Sequence, residues 1–470
     1  MKLIASKNPT RKNYNPSLCF LSQVMRVVWL VFRGNLFVIL TILALFLIFS
    51  QNADASSVTQ EKFPDGMTVI TKNIDSGDIV SFSILIKLSV YHEESYVQGI
   101  RAFLSELIEE KIKNAKTSDG ISLIEYKGVS VKSQTEADYI AFRFVCKKED
   151  FLQILDITSK AVANPASEEA VFASAKKKFR EKYKNINGII DNVYSLFLAS
   201  FYRYHPYKLI NQYSLSAIDR IEQKKTTDFL KKTISKDRII ISLAGNFNRE
   251  KAIEIIKSNF ENLSPAAKKF VSIQWEPQAI EKQLFLSALS NKGWLLLGFT
   301  FPSYSSPDYP EMLIAKNIIG EGFNSRFWME LREKRGYAYE LGALAPTLEG
   351  PAHVMFYIVT QPKNIMQARK IACEIIEDVK KNGVTEKELE IAKEKALGSL
   401  FLIRESSSGL AFDVAVSEAV GGDYNVELNL KNKIKKVTSA DVKRAVNKYF
   451  QIPVIIIVRP PGLYINDTYL

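Results

Sequence analysis

The stretch Val97–Lys113, VQGIRAFLSELIEEKIK, decides the fold predicted from this sequence. Its apolar residues recur at the spacing of one buried helix face. They are Ile100, Phe103, Leu104, Leu107, Ile108 and Ile112. Gly99 stands at the start of the helix, and the three glutamates Glu106, Glu109 and Glu110 are predicted to face outward. Taken alone, the pattern indicates a helix that packs against a core.

The same stretch resembles the signature helix of the pitrilysin/insulinase metallopeptidases, which reads Gly-Ile/Leu-x-His-Phe-Leu-Glu-His. The matching residues are Gly99, Ile100, Phe103 and Leu104. In that family the two histidines bind zinc, and the glutamate between them activates a water molecule.

The reactive positions of that helix do not match. Ala102 stands where the family has its first histidine, Ser105 replaces the glutamate, and Glu106 replaces the second histidine. A methyl group cannot ligate zinc, and a serine hydroxyl cannot act as a general base near neutral pH. The resemblance therefore implies a zinc-peptidase fold without its zinc site, so we assign this chain no catalytic residue and no metal.

The family's third zinc ligand is a glutamate on a later helix. Glu181 is the nearest candidate for that position, and the register is left open. An active peptidase with unusual ligands, Glu106 together with His92, is a further alternative, although zinc sites built from so few histidines are rare.

Composition permits two or more domains, since the chain has 470 residues with ordinary proportions of apolar (47%) and charged (24%) residues. The three cysteines form no CxxC pattern, which argues against a metal cluster or a disulfide framework. They are Cys19, Cys146 and Cys373. The three histidines include no i, i+4 pair, which argues against a histidine-rich zinc site. They are His92, His205 and His353.

The formal net charge of +12 does not indicate a nucleic-acid-binding protein. Residues 1–55 hold six basic residues and one acidic residue, and the remaining excess is scattered over helices of mixed sign. A nucleic-acid groove would need clustered positive charge with interleaved aromatic residues. We expect solvated helix faces instead.

The N-terminal segment has the layout of a secretory signal peptide. The uncharged apolar run Leu36–Phe49 follows Arg26 and Arg33 and precedes an A-x-A site that ends at Ala55. Counting from Met25 gives the basic region an ordinary length. Residues 1–55 are therefore predicted to be a signal peptide cleaved after Ala55 or an uncleaved membrane anchor. Either outcome places the rest of the chain in the periplasm or on the outer face of the inner membrane.

An internal repeat with a period near 216 residues divides the remainder. A helix at Leu215–Ile234 and a strand at Ile239–Phe247 recur as a helix at Ser439–Phe450 and a strand at Val454–Val458. We predict an N-terminal domain at 56–263, a linker at 264–277 and a C-terminal domain at 278–470. Other elements predicted from periodicity are strands at Ile79–Val90, Ile121–Tyr126, Val129–Val131, Tyr139–Val145 and Gly293–Phe301 and helices at Lys148–Val162, Glu168–Tyr183 and Tyr309–Ile319.

The segment 320–339, GEGFNSRFWMELREKRGYAY, is the most specific match to the family. The family carries a similar run, Gly-Gly-x-x-Ser-Arg-Leu followed by Leu-Arg-Glu-Lys-x-Gly-Leu-Ala-Tyr. Its arginine and tyrosine, seven residues apart, hold the substrate against zinc, and they correspond here to Arg332 and Tyr339. A guanidinium and a phenol are both donors that can bind a peptide carbonyl and its developing oxyanion.

Taken together, the resemblance implies an α+β protein of two similar domains, each an antiparallel-rich sheet packed with helices, facing each other across a chamber. Some family members are heterodimers in which one subunit carries zinc and the other the arginine–tyrosine pair. This chain resembles the second kind, and the zinc and the peptide or unfolded polypeptide substrate are then expected with its partner. A non-catalytic scaffold protein of the same fold is the alternative.

Overall fold

The structure is a computed structural model that describes residues 58–93, 98–165, 168–186, 189–210, 214–265, 275, 280–285 and 292–461. The predicted leader at 1–55, with Met25 and the cleavage site after Ala55, lies outside these residues, as does most of the predicted linker at 264–277. Within the described ranges, no helix combines the length and apolarity needed to cross a bilayer.

The first sheet has six strands in the spatial order β1-β2-β6-β3-β5-β4. The strands are β1 Thr59–Lys62, β2 Thr68–Asn73, β3 Ile79–Ile86, β4 Ser130–Thr135, β5 Ile140–Lys147 and β6 Ile239–Gly245. Strands β2 and β6 run parallel, and every other neighbouring pair is antiparallel. The order places β6, the last strand in sequence, between β2 and β3.

The described residues of the same part of the chain form eight α-helices. They are α1 Ile100–Lys113, α2 Leu123–Tyr126, α3 Phe151–Ala163, α4 Glu169–Ile186, α5 Ile189–Phe201, α6 Leu215–Asp219, α7 Gln223–Thr233 and α8 Arg249–Phe260. Alternate residues of β3, from Val80 to Ile86, share one apolar cluster with α1, α3 and α8. The period-2 pattern of the strand and the 3.6 pattern of the helices thus bury their apolar faces against each other.

The second sheet has five strands in the order β7-β11-β8-β10-β9. The strands are β7 Ile280–Phe285, β8 Gly293–Phe301, β9 Ala338–Leu344, β10 Ala352–Thr360 and β11 Val454–Arg459. Six helices belong to this part: α9 Tyr309–Gly320, α10 Ile365–Asn382, α11 Glu386–Arg404, α12 Ser407–Gly421, α13 Val426–Lys436 and α14 Ser439–Tyr449. A π-helical turn at Trp328–Glu333 precedes β9.

The two sheets repeat one topology, which confirms the predicted α+β class and internal repeat. In each sheet a parallel pair, β2/β6 or β7/β11, is followed by three antiparallel strands, β6-β3-β5-β4 or β11-β8-β10-β9. The elements also follow in the same order along the chain, so that α1 corresponds to α9, α4 to α11 and α5 to α12. The repeat is therefore one of connectivity as well as of composition.

Helix α12 packs on the first sheet, although it belongs to the second repeat. The face of the first sheet turned towards it carries small polar residues: Ser81 Oγ lies 2.8 Å from Ser407 Oγ, and Ser242 Oγ donates to the carbonyl of Ala411. The guanidinium of Arg143 lies 4.4 Å from the ring centroid of Phe412. The serine side chains are short enough for the helix to approach the strands closely, and Arg143 packs against the helix through its guanidinium.

Helix α5 packs on the second sheet in return. Gly298 of β8 lies beneath Phe197, and a Cβ added there would stand 2.2 Å from the phenyl ring. The glycine is needed for this close approach. Each repeat thus lends one helix to the sheet of the other, and the largest apolar cluster, which includes Leu85, Phe197 and Leu296, contains residues of both sheets.

A buried chain of hydrogen bonds joins α5 and the residue after it, Tyr202, to β10. The Tyr202 hydroxyl donates to the Pro351 carbonyl at 2.7 Å and lies 2.9 Å from Nδ1 of His353. Because that hydroxyl has one proton, Nδ1 of His353 is the donor to it, and Nε2 accepts from the Tyr194 hydroxyl at 3.2 Å. His353 is fully buried and neutral, and burial lowers its pKa to about 3.

Two of the predicted elements are wrong. The strand expected at Ile121–Tyr126 is one helical turn, α2, because the backbone N–H of Tyr126 bonds the carbonyl of Ser122. The single helix expected at Leu215–Ile234 is two, α6 and α7. Nζ of Lys176 donates to the carbonyls of Asp219 and Ile221, at 2.9 and 2.7 Å, and so satisfies carbonyl groups at the break.

Acid should weaken the fold through His353. Its folded pKa of about 3 lies below the ordinary value of 6.5, so the unfolded chain takes up the proton first and stability falls as pH drops below 6.5. Between pH 7 and pH 5 this loss is about 2 kcal/mol for one fully buried histidine. We expect His353→Gln to be less stable at pH 7 and to show a pH dependence smaller by that amount. Urea unfolding measures the free energy of unfolding of both proteins at pH 7 and pH 5. If the difference between the two pH values is the same in His353→Gln as in the unchanged protein, His353 is not the group responsible.

Candidate functional site

Helix α1 begins where the sequence predicts. Gly99 adopts φ +85°, in the left-handed region, and the backbone N–H groups of Gly99 and Arg101 point at the carboxylate of Glu93, at 2.9 and 3.4 Å. A carboxylate at a helix N-terminus accepts hydrogen bonds from N–H groups that have no partner in the helix, and its negative charge interacts favourably with the helix dipole. Glu93 is itself buried beside Arg101, with the Arg101 Nε atom 4.0 Å from its carboxylate. Its role had no signal in the sequence, because it lies outside the helical pattern.

Ala102, Ser105 and Glu106, which stand at the reactive positions of the family's zinc-binding helix, lie on the side of α1 that faces α4. Ala102 packs against an apolar cluster that includes Phe103 and Phe179. Ser105 is 5% exposed. The carboxylate of Glu106 lies 3.3 Å from Nζ of Lys182, a residue of α4. An ion pair between two helices therefore occupies the place where the family has metal ligands.

A second ion pair joins the same helices one turn along. The carboxylate of Glu110 accepts from Nζ of Lys178 at 2.6 Å and from Oγ of Ser174 at 2.8 Å. Burial alone would raise the pKa of Glu110, but these hydrogen bonds outweigh it and hold the pKa below its ordinary value. The prediction that Glu106, Glu109 and Glu110 face outward is wrong, since Glu110 is 6% exposed and the side chains of the other two are 14% exposed. The partners of Glu106 and Glu110 include lysines of α4, and those of Glu109 are Ser133 of β4 and Lys113 of α1 itself.

The residues present do not fit a zinc ion. Across the described ranges, no group of three or more His, Cys, Asp or Glu side chains is placed to hold a metal. His92 makes a hydrogen bond through Nδ1 to the carbonyl of Ser89 at 2.9 Å, and its neighbouring charges are Arg238 and Arg101. Burial and these cations lower its pKa to about 4. Glu106 has Lys182 as its partner instead, so the two residues of the alternative ligand set are engaged separately.

The structure also decides which residue of α4 faces Glu106. Glu181, the candidate for the third-ligand position, is exposed, whereas Lys182 reaches across to α1. A positively charged ammonium group would repel a zinc ion placed between the helices.

Arg332 belongs to the π-helical turn Trp328–Glu333 rather than to a regular α-helix. The N–H of Lys334 bonds the carbonyl of Met329, five residues earlier, which is the spacing of a π-turn. Ser325 caps the segment, its hydroxyl accepting from the N–H of Trp328 at 3.3 Å. Gly336 ends it in the left-handed region, at φ +62°, which glycine adopts without strain.

Tyr339 occupies a β-bulge. Glu340 pairs with Val359 and Ala338 pairs with Thr360, so Tyr339 has no partner on β10. An extra residue of this kind bends a strand and redirects its side chain. The Tyr339 side chain is accordingly 47% exposed, and the next residue, Glu340, is exposed as well.

The two irregular segments meet through the Arg332 side chain. Its Nη1 donates to the carbonyl of Ala338 at 3.0 Å and to that of Tyr339. Its guanidinium lies 4.9 Å from the ring centroid of Trp328, whose Nε1 donates to Glu333 at 2.8 Å. Among the described residues, no hydrogen bond is made by Nε or Nη2 of Arg332. These hydrogen bonds tie a guanidinium with unused donors to the backbone of a tyrosine whose side chain is exposed, and both groups are donors suited to binding a carbonyl oxygen.

Comparison with known proteins assigns the chain to a family. Residues 68–210 match the family described as Insulinase (Peptidase family M16), and residues 220–396 match the Peptidase M16 inactive domain. The chain belongs to the M16 (insulinase) peptidase family.

Individual relatives agree with this assignment at low identity. The zinc protease PqqE of Helicobacter pylori is 22% identical over 401 residues, which cover 82% of this chain and 89% of the relative. A crystal structure of a peptidase M16 inactive domain from Pseudomonas fluorescens superposes with a TM-score of 0.78 at 18% identity, covering 87% of this chain and 99% of that one. A chain of complex III2 from Candida albicans, with Inz-5 bound, gives a TM-score of 0.74 at 13% identity over 86% and 96% of the two chains. At these identities the structural likeness concerns the fold alone.

Zinc binding should be recoverable only if α4 changes as well as α1. We expect the variant Ala102→His, Ser105→Glu, Glu106→His, Lys182→Glu to bind about one equivalent of zinc, because it supplies two imidazoles and a facing carboxylate. The triple variant that keeps Lys182 should bind zinc much more weakly. Equilibrium dialysis with elemental analysis measures both. Equal affinity in the two variants would show that Glu181, and not residue 182, takes the third-ligand position.

Proposed function

We propose that this chain is the non-catalytic subunit of a heterodimeric zinc peptidase, to which it contributes Arg332 and Tyr339. The observation that carries the proposal is the contrast between its two family motifs. The α1–α4 face holds ion pairs where metal ligands would be needed. The segment with Arg332 keeps its donors next to an exposed tyrosine.

The chemistry of the pair suits a supporting role in hydrolysis. A guanidinium and a phenol donate hydrogen bonds to a peptide carbonyl, and those bonds strengthen as negative charge develops on the oxygen. The bonds from Nη1 to the carbonyls of Ala338 and Tyr339 fix the guanidinium before substrate arrives. Metal-assisted hydrolysis also needs a metal-bound water, and in this proposal it comes from a zinc-bearing family member, since Ala102 and Ser105 offer zinc no suitable ligand and Glu106 is paired with Lys182.

The proposal also includes an exported location. It rests on the basic and apolar pattern of residues 1–55, which favours the periplasm or the outer face of the inner membrane. Contact with the membrane would then be limited to an N-terminal anchor. The substrate is a peptide or an unfolded polypeptide held between the two subunits.

Replacing Arg332 with alanine should lower peptide hydrolysis by the complex roughly 100-fold without preventing assembly, which is the order of loss seen when one oxyanion donor is removed. Arg335→Ala is the matched control, because Arg335 lies on the same segment and pairs with Glu330 at the surface. Tyr339→Phe should have a smaller effect of the same sign. If the complex with Arg332→Ala hydrolyses peptide as fast as the complex with Arg335→Ala, Arg332 does not supply a substrate contact to the partner's active site.

The partner can be sought directly. The tagged chain, isolated from its native cell envelope, should co-purify with a protein that carries His-x-x-Glu-His, and peptide hydrolysis by the complex should stop on addition of a zinc chelator. A neighbouring reading frame with that motif would support the same conclusion. Chelator-sensitive hydrolysis by the chain alone would instead show that our interpretation of Ala102, Ser105 and Glu106 is wrong.

A scaffold role is the second candidate, favoured by the likeness to a chain of complex III2 over 86% of this sequence. In that case Arg332 and Tyr339 would be remnants without a substrate. Co-purification with a stable assembly, together with absence of hydrolysis at any zinc concentration, would support this role and exclude the heterodimer.

A further inference from the structure

Two aromatic side chains beside Arg332, Phe323 and Trp328, form a surface that we call the aromatic shelf. Phe323 is 73% exposed. The Phe323 and Trp328 rings meet edge to face with their centroids 4.7 Å apart. Phe323 therefore packs against the Trp328 ring on one side, while most of its surface is exposed to solvent.

The loop that carries Phe323 is held in place by a lysine of α11. Nζ of Lys395, on α11, donates to the carbonyl of Glu321 at 2.5 Å. Gly322 adopts φ +94°, and a Cβ there would approach Nζ of Lys395 at 2.8 Å. This conformation requires glycine, so the loop has a defined course that turns Phe323 outward. Exposed large apolar groups on a supported loop are typical of binding surfaces.

The shelf is continuous with the Arg332 site. The Trp328 ring contacts both groups, since its centroid lies 4.7 Å from that of the Phe323 ring and 4.9 Å from the guanidinium carbon of Arg332. The Phe323 ring is therefore at most about 10 Å from the guanidinium, which is no more than about three residues of an extended peptide at about 3.3 Å each. A peptide whose carbonyl binds Arg332 therefore has a nearby side chain within reach of the shelf.

The chemistry of the shelf limits which side chain that can be. Glu333 accepts from the Trp328 indole, and Glu340 follows Tyr339 on the exposed side of β9, whereas Arg332 and Lys334 carry positive charge on the same segment. The charge is therefore mixed, and an acidic side chain is disfavoured because it would lose hydration against the rings. Aromatic and large aliphatic side chains, in contrast, gain from covering the Phe323 and Trp328 rings.

We propose that the aromatic shelf is a specificity subsite that selects peptides with a large apolar side chain within about three residues of the carbonyl bound by Arg332. This inference deepens the proposed function and rests on it for the role of Arg332. Phe323 and Trp328 are the specificity-determining residues, and Arg332 supplies the carbonyl contact common to all peptides.

Binding can be measured on the purified full chain without a partner. The probes are dye-labelled, otherwise identical peptides with Phe, Leu, Ala or Glu at one central position, followed by fluorescence anisotropy. We expect the Phe and Leu peptides to bind roughly tenfold more tightly than the Ala peptide, which is about 1.4 kcal/mol, and the Glu peptide to bind most weakly. Phe323→Ala should remove the preference.

Phe401→Ala is the matched control, because Phe401 on α11 is 70% exposed and lies outside the shelf. It should leave the preference intact. Equal loss in Phe323→Ala and Phe401→Ala would show non-specific apolar adsorption and overturn the proposal. No preference in the unchanged protein would also overturn it.

The complex with a zinc-bearing partner separates this inference from the proposed function. Phe323→Ala should raise KM for the Phe peptide towards that of the Ala peptide and leave kcat nearly unchanged, whereas Arg332→Ala should lower kcat for both. Loss of kcat in Arg332→Ala with an unchanged peptide preference in Phe323→Ala would sustain the heterodimer and reject the shelf. A shelf-dependent preference in binding without a hydrolytic partner would sustain the shelf and reject the heterodimer.

Discussion

The exchange of α5 and α12 between the two sheets is the constraint on which the rest of the structure depends. Each sheet has two faces, and its own repeat covers only one of them with apolar side chains. Helix α12 packs against serines of β3 and β6, and α5 packs against Gly298 of β8. Neither sheet would exclude water from both faces without the other repeat, so each half is stabilised by packing against the other.

Contacts with α4 explain how α1 keeps its place without a metal. In a zinc site, the ligands would tie α1 to α4. Here two lysine–carboxylate pairs, Glu106–Lys182 and Glu110–Lys178, join the helices, and the rings of Phe103 and Phe179 pack between them. The lysines are about half exposed, which makes each pair a modest contribution to stability beside the apolar contacts. The helix is held mainly by its apolar face, and that face matches the family.

Local sequence patterns were enough to predict much of the fold. The bounds predicted for β8, Gly293–Phe301, are those observed, and α9 differs by one residue. Both are long apolar segments with clear ends. The strand predicted at Ile121–Tyr126 failed because a short apolar run has no periodicity to separate a helical turn from a strand.

What sequence could not show depends on residues far apart in the chain. Tyr202 and His353 are 151 positions apart, and no spacing rule joins them. The outward orientation predicted for Glu110 was wrong because its lysine partner is on another helix, 68 residues away. The Arg332–Tyr339 spacing was visible, but the β-bulge at Tyr339 depends on the register between β9 and β10, which only the folded sheet defines.

The two family motifs differ in a way that bears on function. Ordinary ion pairs now fill the α1–α4 face, and its backbone is a regular helix. The Arg332–Tyr339 segment instead keeps a π-turn and a β-bulge, both of which give up regular backbone hydrogen bonding. A scaffold protein would need neither irregularity, and substitutions that restored regular structure there would stabilise it. Irregular backbone that aims a guanidinium and a phenol at solvent is instead what a subunit must retain if it supplies substrate contacts to a partner.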